Sequence, residues 1–381
     1  MKTRIKSDKI ITENGIFDGY LYFENGKITE ISESAYKADN EYDYSGCYVS
    51  PGFIDLHLHG ALNHDFSNCT IDEAISAINY HAAHGTTCLL PTVTSCSFDT
   101  TKSALGVIYN VINSDECYPT VIGVHLEGPY FNPKMSGAQD PRLITPPKSE
   151  EYRKLIREFG GIIKCWSYAP ETDKNGEFCK YVTSHNIIAS AGHSDADYND
   201  MIIAEKSGCK MITHMFCRTS TVRKVGCEKI IGINESAFLS DSLVAEIIAD
   251  GHHVPPELIN MACKIMGYDR ICLVTDALKA TGTSAKTSSV GSISCIIDDG
   301  VCKLPDKSAL AGSIATTDKL VRVCVKNCGI SVENAVKMAS RTPSRVLGIN
   351  KGVLKPDFDA DIAIFDDDII IKSVFCGGKK I

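Results

Sequence analysis

Eight short apolar runs, each followed by turn residues and then by a stretch of helical periodicity, occupy the middle of the chain: DLHLHG, TTCLLPT, TVIGVHLEG, IIKCWSYAP, IIASAGHS, MITHMF, AEIIADGHH and ICLVTDA. A strand, a turn and a helix repeated this way pair their strands in parallel, because each helix returns the chain to the same end of the sheet. Eight such units close into a (β/α)8 TIM barrel, an α/β fold. The first helix is the most legible. Thr70 and Glu73 have the spacing of a capping box, Ile71, Ala74, Ile75, Ile78 and Ala82 share one face, and Gly85 is placed to end it.

The two ends of the chain read differently. Residues 1–50 alternate short β-like runs with turns, and FENGK sets Asn-Gly between two alternating segments, a hairpin signal. The tail DADIAIFDDDIIIKSVFCGGKKI continues in the same style. The expected organisation is a β-sandwich accessory domain from residues 1–50 and 346–381, and a barrel over residues 51–345. A Ser-, Gly- and Thr-rich stretch at 282–306 interrupts the barrel and predicts a β-hairpin flap. A length of 381 residues suits a barrel of roughly 250 residues plus a small second unit.

Composition mainly excludes. A formal net charge of -8 with no basic run leaves no footprint for a polyanion, so nucleic acid is not an expected partner. No run of about 18 apolar residues and no signal-peptide pattern occurs, which predicts a cytoplasmic protein without a membrane partner. The 17 cysteines are odd in number, scattered, and free of CxxC pairs. They read as reduced core thiols.

In this fold the active site assembles where the strands end. The strand ends carry His57 and His59, Thr92, Glu127, Ala169, His193, His214, Asp250 with His253, and Asp276. In HLH the two imidazoles, two residues apart on a strand, point the same way. Imidazoles and carboxylates gathered at one barrel mouth predict a divalent transition metal, one or two ions per chain, with zinc first and iron, manganese, cobalt or nickel as alternatives. Two ions bridged by Glu127 would use His57, His59 and Asp276 on one side and His193 and His214 on the other. A single ion on Glu127, His193 and His214 is the other arrangement. Either would lower the pKa of bound water from about 15.7 toward about 7.

PGFIDLHLHG, RTPSRVLGINKG and KPDFDADIAIFD resemble the amidohydrolase superfamily. HLEGPYFNPKMSGAQDP, SAGHSDA, THMF, IADGHHV, LVTDALKATG and LAGSIATTD resemble, in order, the motifs of the N-acetylglucosamine-6-phosphate deacetylases. The resemblance implies hydrolysis of the N-acetyl group of an amino sugar phosphate, with Asp276 as the catalytic carboxylate and His253 assisting at the oxyanion. It also implies sugar contacts at Ala138, His253, Leu310, Ala311 and Gly312, a homodimer, and a small-molecule N-acetyl amino sugar as partner. Gln139 is a further candidate for a sugar hydroxyl, and Asp250 is grouped with the substrate site. The chain departs from the family after His214, where Cys217 and Arg218 stand in place of an Asn-Ala pair. Phosphate recognition then falls to nearby cations, Arg218 and Arg223 first. An unphosphorylated or different N-acyl sugar is the alternative substrate, and a silent scaffold a more distant one. The carboxylated lysine usual in cyclic amidases has no counterpart, since the fourth strand ends in SYAPE.

Overall fold

The computed structural model describes residues 1–381. Its barrel strands are Phe53–Leu58, Thr86–Thr94, Val124–Glu127, Ile163–Tyr168, Ile188–Ala191, Met211–Ile212, Val244–Ile247 and Ile271–Leu273, hydrogen-bonded in that order and all parallel. The helix after the first strand spans Ile71–Ala82 and starts at the expected capping box, with Thr70 N donating to Glu73 Oε2 at 2.8 Å. Gly85 follows it with φ +89°, a conformation that costs a residue without Cβ little.

Alternate residues on each strand face opposite ways, and this sorts the core into two sets. Leu89, Leu126, Trp166, Ala189, Ile212, Ala245 and Leu273 face outward to the helices and join the largest apolar cluster. Cys88, Cys165, Met211, Val244 and Cys272 face inward and fill the lumen, with Val346 and Leu347 of the helix Arg341–Leu347 packed beneath them. The floor of the barrel is therefore dry. Its upper layers are polar.

The first and last strands meet through few ladder bonds. His59 N donates to Ala277 O at 2.8 Å, Asp276 N donates to His57 O at 2.8 Å, and Leu58 bridges Ala277. The buried Asp55 completes the closure. It accepts from Thr275 Oγ1 at 2.6 Å and from the backbone N–H groups of His57 and Thr275 at 3.2 Å. Burial pushes this carboxyl up to about 7 against those hydrogen bonds, so losing one of them is costly. Thr275→Val keeps the shape and removes the hydroxyl, and should lower stability by about 1–3 kcal/mol, read as a lower urea midpoint at unchanged m-value.

The terminal segments form one connected eight-stranded sheet. The expected hairpin is present, with Gly15–Glu24 antiparallel to Lys27–Ser32 and both Asn25 (φ 50°) and Gly26 (φ 77°) left-handed, as a type I′ turn requires. Four strand steps separate Phe23 from Phe375, about 19 Å in a flat sheet. Their ring centroids lie 5.5 Å apart, so the sheet folds over itself into a sandwich around Ile5, Leu21, Val49, Ile362 and Ile364.

The interrupting stretch forms a three-stranded antiparallel sheet, Thr287–Val290, Ile293–Asp298 and Val301–Lys303. It leans over the barrel mouth. Ser292 Oγ donates to Asp140 Oδ2 at 2.7 Å, and Val290 and Cys295 pack with Ala138, Leu278 and Ala311. Eleven cysteines are buried and only Cys227 is exposed, consistent with their reading as core residues. No helix is long and apolar enough to cross a membrane.

Candidate active site

Six side chains from five strand ends converge at the mouth. Glu127 Oε1 lies 3.0 Å from both His193 Nε2 and His214 Nε2, and those two nitrogens are 3.1 Å apart. Beside them, His59 Nε2 is 3.1 Å from Asp276 Oδ1 and 3.4 Å from Glu127 Oε2, while His57 Nε2 is 3.6 Å from both Glu127 Oε1 and Asp276 Oδ1. Glu127 thus faces both groups, with Oε1 toward His193, His214 and His57 and Oε2 toward His59. His193 (φ 46°), His214 (φ 29°) and Asp276 (φ 47°) all have left-handed backbone, which is uncommon outside glycine and turns each side chain inward where its strand stops.

The donor set fits a metal ion on its own chemistry. His193 Nδ1 donates to Met135 O at 2.9 Å and His57 Nδ1 to Glu246 Oε2 at 3.0 Å, which makes Nε2 of each the ring nitrogen aimed at the cluster. His57 Nε2 is buried and has no hydrogen-bond partner, an arrangement costly for a polar atom unless a cation takes it. Burial alone would raise Glu127 and Asp276. The imidazoles of His193 and His214 outweigh it at Glu127, and those of His59 and His57 at Asp276, holding both carboxyls below their ordinary values. Both are therefore ionised.

One pocket opens above this cluster, with His59, Glu127, His193, His214 and Asp276 on its floor. Its wall is made by Ala138, Cys217, Arg218, His253, Leu310 and Gly312, with Ala311 beside them. At Gly312 (φ +98°) a Cβ would come within 3.0 Å of Leu278 and 3.2 Å of the Asp276 carbonyl, so the left-handed backbone and the close approach both favour glycine where this segment passes the site.

A family model described as the amidohydrolase family matches residues 48–381. The chain belongs to the amidohydrolase family. The N-acetylglucosamine-6-phosphate deacetylase of Bacillus subtilis is 30% identical over 98% of this amidohydrolase and 96% of its own length. That of Caenorhabditis elegans is 30% identical over 98% and 92%. Among solved structures, a mutant of the N-acetyl-D-glucosamine-6-phosphate deacetylase of Mycobacterium smegmatis, in complex with N-acetyl-D-glucosamine-6-phosphate, superposes with a TM-score of 0.93 at 25% identity, covering 100% of this chain and 99% of the other.

Two residues expected to hold substrate, Asp250 and Arg223, do not line the pocket, while Gln139 does and is also bonded within the protein. Gln139 is buried and bonded at both ends: Nε2 donates to Glu127 Oε2 at 2.6 Å and Oε1 accepts from Ser95 N at 3.2 Å, so it orients Glu127. Asp250 does not line the pocket. It accepts from His253 Nδ1 at 2.8 Å and from the N–H groups of His252 and His253 at 2.9 Å, and turns His253 Nε2 away from itself. Burial opposes charge on Asp250, but these bonds win and hold its carboxyl at about 2. Arg223 lies on a short strand outside the pocket, its Nη2 donating to Asp195 O at 2.9 Å and its Nη1 3.6 Å from the Asp195 carboxylate. Arg218 alone of the two arginines reaches the pocket, its Cγ and Nε against Gly137.

Two buried groups escaped the sequence reading. His125 stands two residues before Glu127, on the same face of the strand; its ring lies 4.5 Å from that of His57, and it bonds Leu56 O and Ser167 Oγ. Burial, then the neighbouring His57, pushes it down to about 3, so it is neutral. Glu246 sits mid-strand in AEII, wholly buried. A lone carboxylate in an apolar strand was the signal available for it. Trp166 is buried and donates from Nε1 to Gly128 O at 2.9 Å, anchoring the turn after Glu127.

Proposed function

We propose that this amidohydrolase cleaves the acetamide of N-acetylglucosamine 6-phosphate to acetate and glucosamine 6-phosphate. The observation that carries the reading is the convergence of Glu127, His193 and His214 with His57, His59 and Asp276 under one open pocket. The sequence relatives and solved neighbours named as deacetylases of this sugar phosphate favour the same substrate.

The six side chains would hold one or two divalent ions, zinc first. Such an ion supplies a Lewis acid that polarises an amide carbonyl and makes water more acidic. The chain's own groups do the remainder. Asp276, ionised and at the floor of the pocket, accepts a proton from the attacking water and delivers it to the amine nitrogen as the C–N bond breaks. His253, its Nδ1 proton held by Asp250, presents Nε2 to the sugar or the developing oxyanion. Gln139 keeps Glu127 turned toward the ligand set. The flap clasped by Ser292 and Asp140 covers one side and limits water. We place the enzyme in the cytoplasm, as a homodimer.

Acetate release tests the reading, measured on N-acetylglucosamine, N-acetylgalactosamine and N-acetylmannosamine with and without 6-phosphate. Fastest turnover on N-acetylglucosamine 6-phosphate is expected; equal rates on the unphosphorylated sugar would refute the phosphate assignment. Arg218 is the residue proposed to grip that phosphate, in place of the family's Asn-Ala pair. A charge-assisted contact is worth roughly 1.5–3 kcal/mol, so Arg218→Ala should raise KM for the phosphorylated sugar about ten-fold or more and leave the unphosphorylated sugar's kinetics alone. Arg223→Ala, whose guanidinium is engaged by Asp195, should change neither.

A further inference from the structure

A second ring of polar side chains lies directly beneath the ligand cluster, and it includes a third close grouping of potential ligands, His57, His125 and Glu246. This grouping is not itself a metal site. His125 donates from Nδ1 to Leu56 O at 3.2 Å, which leaves Nε2 to accept from Ser167 Oγ at 2.7 Å, and Ser167 is in turn bonded to Thr213, and Thr213 to Ser190. Both nitrogens of His125 are committed to the protein. It has no lone pair left for an ion.

Glu246 is differently disposed. It lies on the strand Val244–Ile247, fully buried in the lumen. Its Oε2 accepts from two directions, from His57 Nδ1 at 3.0 Å and from the backbone N–H of His214 at 3.2 Å. Its own carbonyl accepts from Met215 N at 2.8 Å, which straps the strand to the segment that carries His214. One carboxylate therefore touches a residue from each half of the cluster. At His57 it fixes both the tautomer and the ring plane, since an imidazole that donates from Nδ1 can offer a lone pair only at Nε2. At His214 it steadies a backbone whose φ of 29° is unusual for a residue with a side chain.

We propose that Glu246 is a positioning residue for the metal centre, and that it governs whether the His57, His59 and Asp276 half is filled. Glu127, His193 and His214 hold their ion with less help. Their nitrogens and oxygen already lie within 3.1 Å of one another, and His193 is oriented independently by the Met135 carbonyl. His57 has no orienting partner other than Glu246. This inference rests on the metal reading of the mouth and not on which sugar is cleaved.

The test is a Co²⁺ titration of metal-stripped protein against a competing chelator, followed by the absorption of the bound ion, for the parent, Glu246→Ala and Glu246→Gln. The parent should give a stronger and a weaker binding constant. Loss of an outer-shell partner commonly costs about 10–100-fold in metal affinity, and Glu246→Ala should lower the weaker constant by that amount while moving the stronger one by less than about three-fold. Glu246→Gln keeps an oxygen able to accept from His57 and His214 and should recover most of the loss. Circular dichroism and the thermal midpoint establish that each variant is folded; should the Ala variant fail to fold, a several-fold fall of the weaker constant alone in the Gln variant carries the same conclusion. A parent that binds a single ion at every concentration, a weaker constant unchanged in the folded variants, or equal losses at both constants would each overturn the proposal. The readout is bound metal, so a chain that acted on a different N-acyl sugar would give the same result.

Discussion

Asp276→Asn should fold, keep at least one metal ion and lose roughly 10²- to 10⁴-fold in kcat, the range expected when a general acid-base group is removed. The amide matches the carboxylate in shape and leaves the buried surroundings of residue 276 filled, so the fold has little reason to change. What disappears is the ability to take a proton from water and return it to the amine. The loss should fall on kcat with KM little altered, because the wall residues Ala138, Arg218, His253 and Leu310 are untouched. Near-parental turnover at saturating sugar would remove Asp276 from the mechanism. A loss of all bound metal would instead assign it to ion binding alone.

Complete removal of metal should abolish acetate release, and elemental analysis of protein purified without chelator should give between one and two transition-metal ions per chain. Unchanged activity after exhaustive chelation would refute the metal centre itself. Reloading should depend on pH with a definite sign. Burial would lower the pKa of His57, but the carboxylates of Glu246 and Glu127, with Asp276 beyond them, raise it to about 10. An ion that takes Nε2 must displace that proton, so uptake at this half releases a proton and weakens as pH falls. One displaced proton corresponds to about ten-fold weaker affinity for each unit by which pH falls. Isothermal titration in two buffers of different ionisation enthalpy reads the released proton directly. Affinity independent of pH between 6 and 8 would contradict this ion pairing.

Much of the architecture was legible because it depends on local rules. The capping box at Thr70 and the Asn25-Gly26 turn are short-range devices whose partners lie within a few residues, and the structure contains both. The eight strands were found by apolar runs ending in turns, and the ligands by reading each run to its last residue. That worked because a barrel brings strand ends together whatever their separation in sequence. His57 and Asp276 are more than two hundred residues apart and still meet, since Leu58 bridges Ala277 where the barrel closes.

What the chain alone did not disclose were partners across the lumen. Alternation says that Glu246 and His125 point inward, but not that Glu246 meets the Nδ1 of His57 while His125 meets Ser167. Those pairings depend on the stagger of one strand against the next around the closed barrel, a quantity set by the packing of all eight. The same holds on the loops. Gln139 and Arg223 each had a functional reading as solitary polar residues beside a motif, and tertiary contacts gave Gln139 to Glu127 and Arg223 to Asp195. The sequence by itself determined the order of strands, the residues at their ends and hence the chemistry available at the mouth, because each follows from spacing along one strand. Only the tertiary structure decided which polar groups hold those residues in place, because a hydrogen bond is made to whichever group lies within about 3 Å, and strands and loops distant in sequence supply it.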